Sequence, residues 1–192
     1  MRRFTQLTGL LLSVATVLGV AGFVLAPSVI ATPNYTPAAQ PPAWQTLSLV
    51  DARTGQSFTL ADFAGKTVYV EPMATWCTNC RQQMSVIRDQ VRAQVDPEQV
   101  VFVGLSVETT LAPETLAAYT ATHGFDWTFA VMTPEMLQEL ATQFGRTVTN
   151  PPAVPHFVIS PDGTTSDLST GFHGADKLLE RLSMAGMNQS QP

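Results

Sequence analysis

Residues 67–80, TVYVEPMATWCTNC, decide the fold of this chain. They open with a β-branched and apolar run, Thr67 to Met73, of the kind that forms a strand buried on both faces of a sheet. A helix is predicted directly afterwards, from Cys77 to about Val95, because apolar side chains recur there at helical spacing. Cys77 and Cys80 therefore lie where a buried strand gives way to a helix.

On either side of this stretch, strand patterns and helix patterns alternate along the chain. Predicted strands cover residues 44–49, 57–60, 100–107, 127–132, 154–160 and 167–172. Predicted helices cover residues 113–123, 133–144 and 175–184. This order predicts an α/β fold with a central mixed β-sheet, helices on both faces, and an N-terminal β-hairpin extension.

Composition limits the protein to one ordinary domain with a real core. The chain has 192 residues, of which 45% are hydrophobic and 13% are charged. Its formal net charge is −5 and no basic run extends beyond Arg2 and Arg3, which excludes nucleic acid as a partner. The only two cysteines are three positions apart, so they cannot close the long loops of a disulfide-stabilised secreted domain.

The N-terminal region reads as a targeting segment followed by a tether. Residues 1–31 form a signal peptide or N-terminal membrane anchor, with a positive head and a long uncharged apolar stretch. Residues 32–43 form a Pro-rich linker, residues 44–186 the folded domain, and residues 187–192 a flexible tail. We therefore expect an exported protein at the periplasmic or extracytoplasmic face of a membrane, either anchored or released.

Disulfide exchange is the chemistry that the cysteine spacing favours. The attacking species is the thiolate, and the N–H groups and partial positive charge of a helix N-terminus stabilise it. Cys77 stands at the predicted helix start and is assigned as the nucleophile. Cys80 follows one turn later on the apolar face and is assigned as the resolving partner. No cofactor beyond a redox-active Cys77–Cys80 disulfide is needed.

Two other roles for the cysteine pair fit the sequence less well. Zinc prefers four ligands, and the chain offers only three histidines, all distant from the pair. A purely structural bridge across so short a loop would add little stability.

The segment Glu71 to Cys80 resembles the active site of thioredoxins, and more closely that of the TlpA/ResA-like extracytoplasmic branch. Residues 60–66, the Val154-Pro155 step and the turn at 161–163 are also similar, so the resemblance covers about residues 44–185. It implies a thioredoxin-like fold and a thiol–disulfide oxidoreductase that acts on protein thiol and disulfide substrates. It also implies a membrane electron donor or acceptor, and reduction of cysteines during cytochrome c or copper-site maturation.

The same resemblance assigns roles to four further residues. Pro155 matches the family's cis-proline, which with Val154 offers backbone beside the disulfide for pairing with a substrate strand. Glu71 matches the buried acid that accepts or relays the proton of Cys80. Trp76 matches the aromatic residue that shields the site and contacts substrate. Pro72 departs from the pattern, and a bulge there is one way to accommodate it in a central strand.

One other function remains open at the level of sequence, and a second is disfavoured. A copper-binding and delivery module similar to the Sco proteins would use Cys77, Cys80 and His156, with His123 and His173 as alternative ligands. Sco proteins, however, space their cysteines one residue wider. A peroxidase would need a threonine three residues before the reactive cysteine, and Ala74 occupies that position.

Overall fold

The computed structural model describes residues 41–187. The strands are β1 Leu49–Val50, β2 Ser57–Phe58, β3 Thr67–Met73, β4 Val100–Ser106, β5 Thr128–Val131 and β6 Phe157–Ile159. The main helices are α1 Thr78–Val86, α2 Pro113–His123, α3 Pro134–Phe144 and α4 Ala175–Met187. The predicted targeting segment, most of the linker and nearly all of the tail lie outside the described residues.

Four strands form the central sheet in the order β5-β4-β3-β6. β3 and β5 both run parallel to β4, and β6 runs antiparallel to β3. β1 and β2 make a separate antiparallel hairpin on the N-terminal side. The predicted thioredoxin-like α/β fold with a mixed sheet and an N-terminal hairpin is thereby confirmed.

Apolar layers cover the central sheet on both faces. One layer joins Tyr69 and Met73 of β3 to side chains of α1, α2 and α4. The other joins Val68 and Val70 of the same strand to side chains of α3. Every residue of β3 is buried, because alternate side chains enter opposite layers. The continuous apolar run at 67–73 is thus explained.

Pro72 lies within β3 without interrupting it, and the expected bulge is absent from this strand. β3 pairs residue by residue with β4 over its whole length. Along a strand, the backbone groups of successive residues face its two sides alternately. Thr67 and Met73 form backbone hydrogen bonds on the β4 side, so the backbone nitrogen of Pro72, one residue before Met73, faces the β6 side. Pairing with β6 has already ended at Val70, so the proline removes no ladder hydrogen bond.

Three local predictions differ from the structure. Residues 44–49 were predicted as a strand, but Ala43–Thr46 is a 3-10 turn that buries Trp44 against Phe157. Residues 167–172 make one isolated bridge, between Ser169 and His156, instead of a full hairpin strand. The first helix ends at Val86 and continues as a wider π turn, whereas the sequence predicted one helix to about Val95.

Candidate active site

The two cysteines form a disulfide at the mouth of α1, as the sequence predicts. Cys77 is the N-cap residue of the helix, and its Sγ accepts the backbone N–H of Cys80 at 3.1 Å. The Cα atoms are 5.4 Å apart, and both residues are buried. The helix start therefore offers a backbone donor and a partial positive charge to whatever charge develops on the Cys77 sulfur.

Trp76 is the exposed large apolar residue of the active-site segment. Its side chain is 61% exposed, although it stands between buried Ala74 and the buried cysteines. A large apolar surface left in solvent beside a reactive bond is available for contact with another molecule.

A carboxylate holds the loop that leads into the disulfide. The Thr75 backbone N–H donates to Glu108 Oε2 at 2.7 Å, and the Thr75 hydroxyl donates to the same oxygen at 3.0 Å. Glu108 lies just beyond the carboxyl end of β4, next to the carboxyl end of β3, because the two strands are parallel. Our sequence reading missed Glu108, and an acid directly after a buried parallel strand was the available signal.

Glu71 is buried on the sheet face that carries the cysteines. It is 1% exposed, and it lies on the same side of β3 as Tyr69 and Met73, which share an apolar cluster with Cys77 and Cys80. The Tyr69 hydroxyl donates to Glu71 Oε2 at 3.3 Å, while Oε1 has no hydrogen-bond partner. Burial raises the pKa of Glu71 well above its usual range, and the bond from Tyr69 opposes this only partly.

The short 3-10 turn Pro151–Ala153 covers the inner side of the disulfide. Cys80 Sγ lies 3.2 Å from the Pro151 carbonyl oxygen. The Asn79 side-chain amide donates to the Pro152 carbonyl at 3.0 Å. The sequence singled out Pro155 from this Pro-rich stretch, and the structure adds Pro151 as the proline whose carbonyl contacts the sulfur. Pro155 itself is buried after the end of this turn.

Val154 is held in an unusual backbone conformation between the turn and Pro155. It has φ 48° and ψ 56°, the left-handed region, where a β-branched residue is a genuine outlier. Its N–H donates to the Pro151 carbonyl at 2.7 Å, and its own carbonyl lies 3.0 Å from His156 Nδ1. Both backbone polar groups of Val154 are therefore engaged within the chain.

His156 and His173 form a buried pair. His156 Nε2 lies 3.0 Å from His173 Nδ1, and the His156 ring stacks on Tyr69 with centroids 5.5 Å apart. Since the Val154 carbonyl can only accept, His156 Nδ1 carries the hydrogen and His156 Nε2 accepts from His173.

The surroundings of this pair disfavour the charged form of both rings. Burial lowers the pKa of His156 to about 4, and the nearby His173, Arg181 and Lys177 act in the same direction. The hydrogen bond to the Val154 carbonyl opposes this shift. Burial also lowers the pKa of His173.

Gln83 of α1 is hydrogen-bonded to the backbone of His173. Its side-chain amide donates to the His173 carbonyl at 3.0 Å and accepts the His173 backbone N–H at 2.7 Å. Gln83 does not belong to the apolar spacing that predicts this helix, yet it is fully buried one turn after Cys80. The backbone of His173 provides the hydrogen-bond partners that make this burial of a polar side chain tolerable.

The arrangement does not favour a copper site. Within residues 41–187, no group of three or more His, Cys, Asp or Glu side chains is placed to hold a metal ion. Both ring nitrogens of His156 are engaged, one with Val154 and one with His173. The ligand set Cys77, Cys80 and His156 is therefore not assembled.

Comparison with known proteins points to one redox family. The AhpC/TSA family model matches residues 41–166. No curated protein matches the chain.

Over the part of the chain that the structure describes, no helix is long and apolar enough to cross a membrane.

Solved structures of bacterial redox proteins share the fold. A thioredoxin-family thiol:disulfide interchange protein from Chlorobium tepidum TLS is 25% identical, with a TM-score of 0.58, over 72% of this chain and 92% of that one. A secreted Mycobacterium tuberculosis disulfide oxidoreductase is 16% identical, with a TM-score of 0.57, over 73% and 97%. A thiol-disulfide isomerase from Corynebacterium glutamicum is 20% identical, with a TM-score of 0.56, over 72% and 94%.

Proposed function

Because this chain belongs to the AhpC/TSA family, a thioredoxin-like redox family, we propose that it exchanges disulfides with protein substrates through Cys77 and Cys80. The observation that carries the proposal is the Cys77–Cys80 disulfide at the N-terminus of α1, beside the exposed Trp76. The Cα separation of 5.4 Å lies within the range that a disulfide spans, so the bond forms here without backbone movement.

In the reductive direction, exchange proceeds in two steps with Cys77 as the attacker. The Cys77 thiolate attacks one sulfur of a substrate disulfide, and the other substrate sulfur leaves as a thiolate. Cys80, once deprotonated, attacks Cys77 Sγ, which breaks the mixed disulfide and releases the second substrate thiolate. The protein ends as the Cys77–Cys80 disulfide and the substrate has gained two electrons. The reverse sequence oxidises a substrate dithiol.

Glu71 is the proposed acceptor of the Cys80 proton. Its pKa is raised by burial, so its carboxylate is a better base than an exposed glutamate would be. The unpartnered Oε1 leaves it a free position for a proton.

We assign substrate contact to Trp76, Val154 and Pro155. The exposed indole of Trp76 supplies apolar contact area beside the disulfide. The Val154 N–H pairs with a substrate strand by exchanging its bond to Pro151, whereas the Val154 carbonyl has a second lone pair beside the bond from His156.

We further propose that the protein acts outside the cytoplasm and receives or passes electrons through a membrane partner. The charge and hydropathy pattern of residues 1–31 supports export. The secreted M. tuberculosis oxidoreductase shares the fold and is consistent with this location. Cysteines of cytochrome c or copper sites under assembly are the proposed substrates, by the resemblance to TlpA/ResA-like proteins.

Reduction of insulin disulfides by dithiothreitol tests the exchange activity. We expect the wild type to accelerate the reaction, Cys77→Ser to abolish the acceleration, and Cys80→Ser to accumulate a mixed disulfide with insulin. Full turnover by Cys77→Ser would overturn the assignment of the attacker. Peroxide consumption or stoichiometric Cu(I) binding by the reduced protein, without insulin reduction, would replace the proposal with the peroxidase or the copper module.

A further inference from the structure

A chain of short contacts leads from the disulfide into the Pro-rich turn. It begins at Cys80 Sγ, which lies 3.2 Å from the Pro151 carbonyl oxygen. The same carbonyl accepts the Val154 N–H at 2.7 Å. The Val154 carbonyl in turn accepts the Nδ1–H of His156 at 3.0 Å. The imidazole of His156 is therefore linked to the sulfur through one turn of backbone.

The contacts return to the helix that carries the disulfide. His156 Nε2 accepts from His173 Nδ1 at 3.0 Å, and the backbone of His173 pairs with the Gln83 amide. Since Gln83 belongs to α1, the contacts close a ring, which we call the histidine ring and define as Cys80, Pro151, Val154, His156, His173 and Gln83. Gln83, His156 and His173 are buried, so water does not compete for these bonds.

The Pro151 carbonyl distinguishes the chemical states of Cys80. A disulfide sulfur has no hydrogen to donate, whereas a thiol is a weak donor and can bond to a carbonyl at this distance. A Cys80 thiolate would face the lone pairs of the same oxygen. The carbonyl therefore stabilises the protonated thiol of Cys80 relative to both the disulfide and the thiolate.

The turn Pro151–Ala153, which carries this carbonyl, needs restraints from its surroundings to keep its backbone conformation. Val154 adopts a left-handed conformation, which is strained for a β-branched residue and persists only where the surroundings impose it. The hydrogen bond from His156 to the Val154 carbonyl is one such restraint. Without it, relaxation of Val154 moves the N–H that is bonded to the Pro151 carbonyl.

We propose that His156 and His173 are positioning residues, which hold the Pro151 carbonyl against Cys80 and so shift the redox equilibrium of the cysteine pair towards the dithiol. The inference rests on the proposed exchange activity of Cys77 and Cys80. Reduction by glutathione breaks the S–S bond, adds two electrons and two protons to the pair, and forms oxidised glutathione. One of the two protons resides on Cys80 Sγ, directed at the Pro151 carbonyl.

The test is the equilibrium of the full chain with reduced and oxidised glutathione. His156→Phe removes both ring nitrogens and keeps an aromatic ring against Tyr69. Loss of one hydrogen bond should raise the equilibrium constant for disulfide formation about threefold to tenfold, where tenfold is about 30 mV. Alkylation of Cys80 in the reduced variant should move to lower pH, because its thiolate no longer faces a fixed carbonyl.

Three further variants separate the ring from general damage. His156→Asn retains a donor at the Nδ1 position but loses the bond to His173, so its equilibrium should lie between those of the wild type and His156→Phe. Gln83→Met removes both bonds to His173 without touching the turn, and should shift the equilibrium in the same direction as His156→Phe. His123→Phe makes the same chemical change on α2, outside the ring, and should leave the equilibrium unchanged.

The possible results are distinguishable. Folded His156→Phe and Gln83→Met proteins that match the wild type within twofold would overturn the role of the ring while leaving the exchange activity intact. If His156→Phe does not fold, Gln83→Met alone decides the question by the same criterion. A wild type that neither equilibrates with glutathione nor reduces insulin would instead defeat the proposed function itself.

Discussion

The buried histidine pair predicts a specific loss of stability in mild acid. His156 has a pKa of about 4 in the folded protein, lowered mainly by burial, against an ordinary value of 6.5. The unfolded chain therefore takes up a proton at His156 before the folded protein does. For a histidine with a lowered pKa, the stabilisation is present above pH 6.5 and is lost as the pH falls towards 4.

The size of the effect follows from the two pKa values. A separation of about 2.5 units corresponds to about 3 kcal/mol of unfolding free energy when the loss is complete. Between pH 7 and pH 5 the linkage relation gives a loss of about 2 kcal/mol from this residue. That is a large fraction of the 5–15 kcal/mol that is typical of folded domains.

Urea unfolding at pH 7 and pH 5, with the disulfide intact, measures this loss. His156→Asn keeps a donor towards Val154 but does not titrate, so it should lose about 2 kcal/mol less than the wild type between the two pH values. Comparing pH-dependent changes cancels the variant's own cost at neutral pH. His123→Asn is the comparison variant at a partly exposed position: burial and the nearby Arg81 and Arg88 also lower the pKa of His123, so this variant should reduce the loss, but by less than His156→Asn does. Equal losses in the wild type and His156→Asn would refute the burial argument.

Three other substitutions test the site and its support. Glu71→Gln should lose less stability than the wild type between pH 5 and pH 8 in thermal unfolding. A carboxyl whose pKa is raised in the folded protein makes folding less favourable as the pH rises, and glutamine does not titrate. The same change of melting temperature with pH in both proteins would contradict the raised pKa. Trp76→Ala should lower kcat/KM for insulin reduction severalfold and leave the unfolding free energy within about 0.5 kcal/mol, since the side chain is 61% exposed; unchanged kinetics would remove it from the substrate contact. Gly104→Ala should destabilise the domain by about 1–3 kcal/mol in urea unfolding, because the added Cβ overlaps the Phe129 ring, and an unchanged midpoint would contradict that packing.

Local pattern was sufficient for the elements that position the cysteines. The apolar run at 67–73 predicts a strand with two buried faces, and Cys77 indeed caps the helix that follows. The helices at 113–123 and 134–144 carry their own boundary signals, namely Pro at the start and Gly after the end. These features depend on residues close together in the sequence.

Parts of the fold that depend on distant packing were not predictable in this way. Trp44 alternates with polar neighbours as a strand residue would, yet its burial against Phe157 draws the segment into a turn. Pro72 argues against a central strand, and its tolerance depends on where β6 stops pairing.

The support around the disulfide was the least accessible to sequence reasoning. Gln83 and His173 are hydrogen-bonded although they are 90 residues apart in the sequence. Neither residue type indicates such a contact from the sequence alone. Helical spacing assigned Gln83 to the polar side because it counts side chains as apolar or polar, whereas a buried polar side chain is stable wherever its hydrogen bonds are met. The sequence carries no signal for Pro151, because its contact with Cys80 uses a backbone carbonyl, a group that every residue carries.

The most direct measurement is the pH dependence of iodoacetamide alkylation of the reduced protein, with each cysteine followed separately by mass spectrometry. If the N-terminus of α1 stabilises the thiolate of Cys77, this cysteine should react with an apparent pKa clearly below the ordinary thiol value of about 8.5. Cys80 should stay unreactive until higher pH. Equal reactivity of the two thiols at the ordinary pKa, or preferential labelling of Cys80, would contradict it.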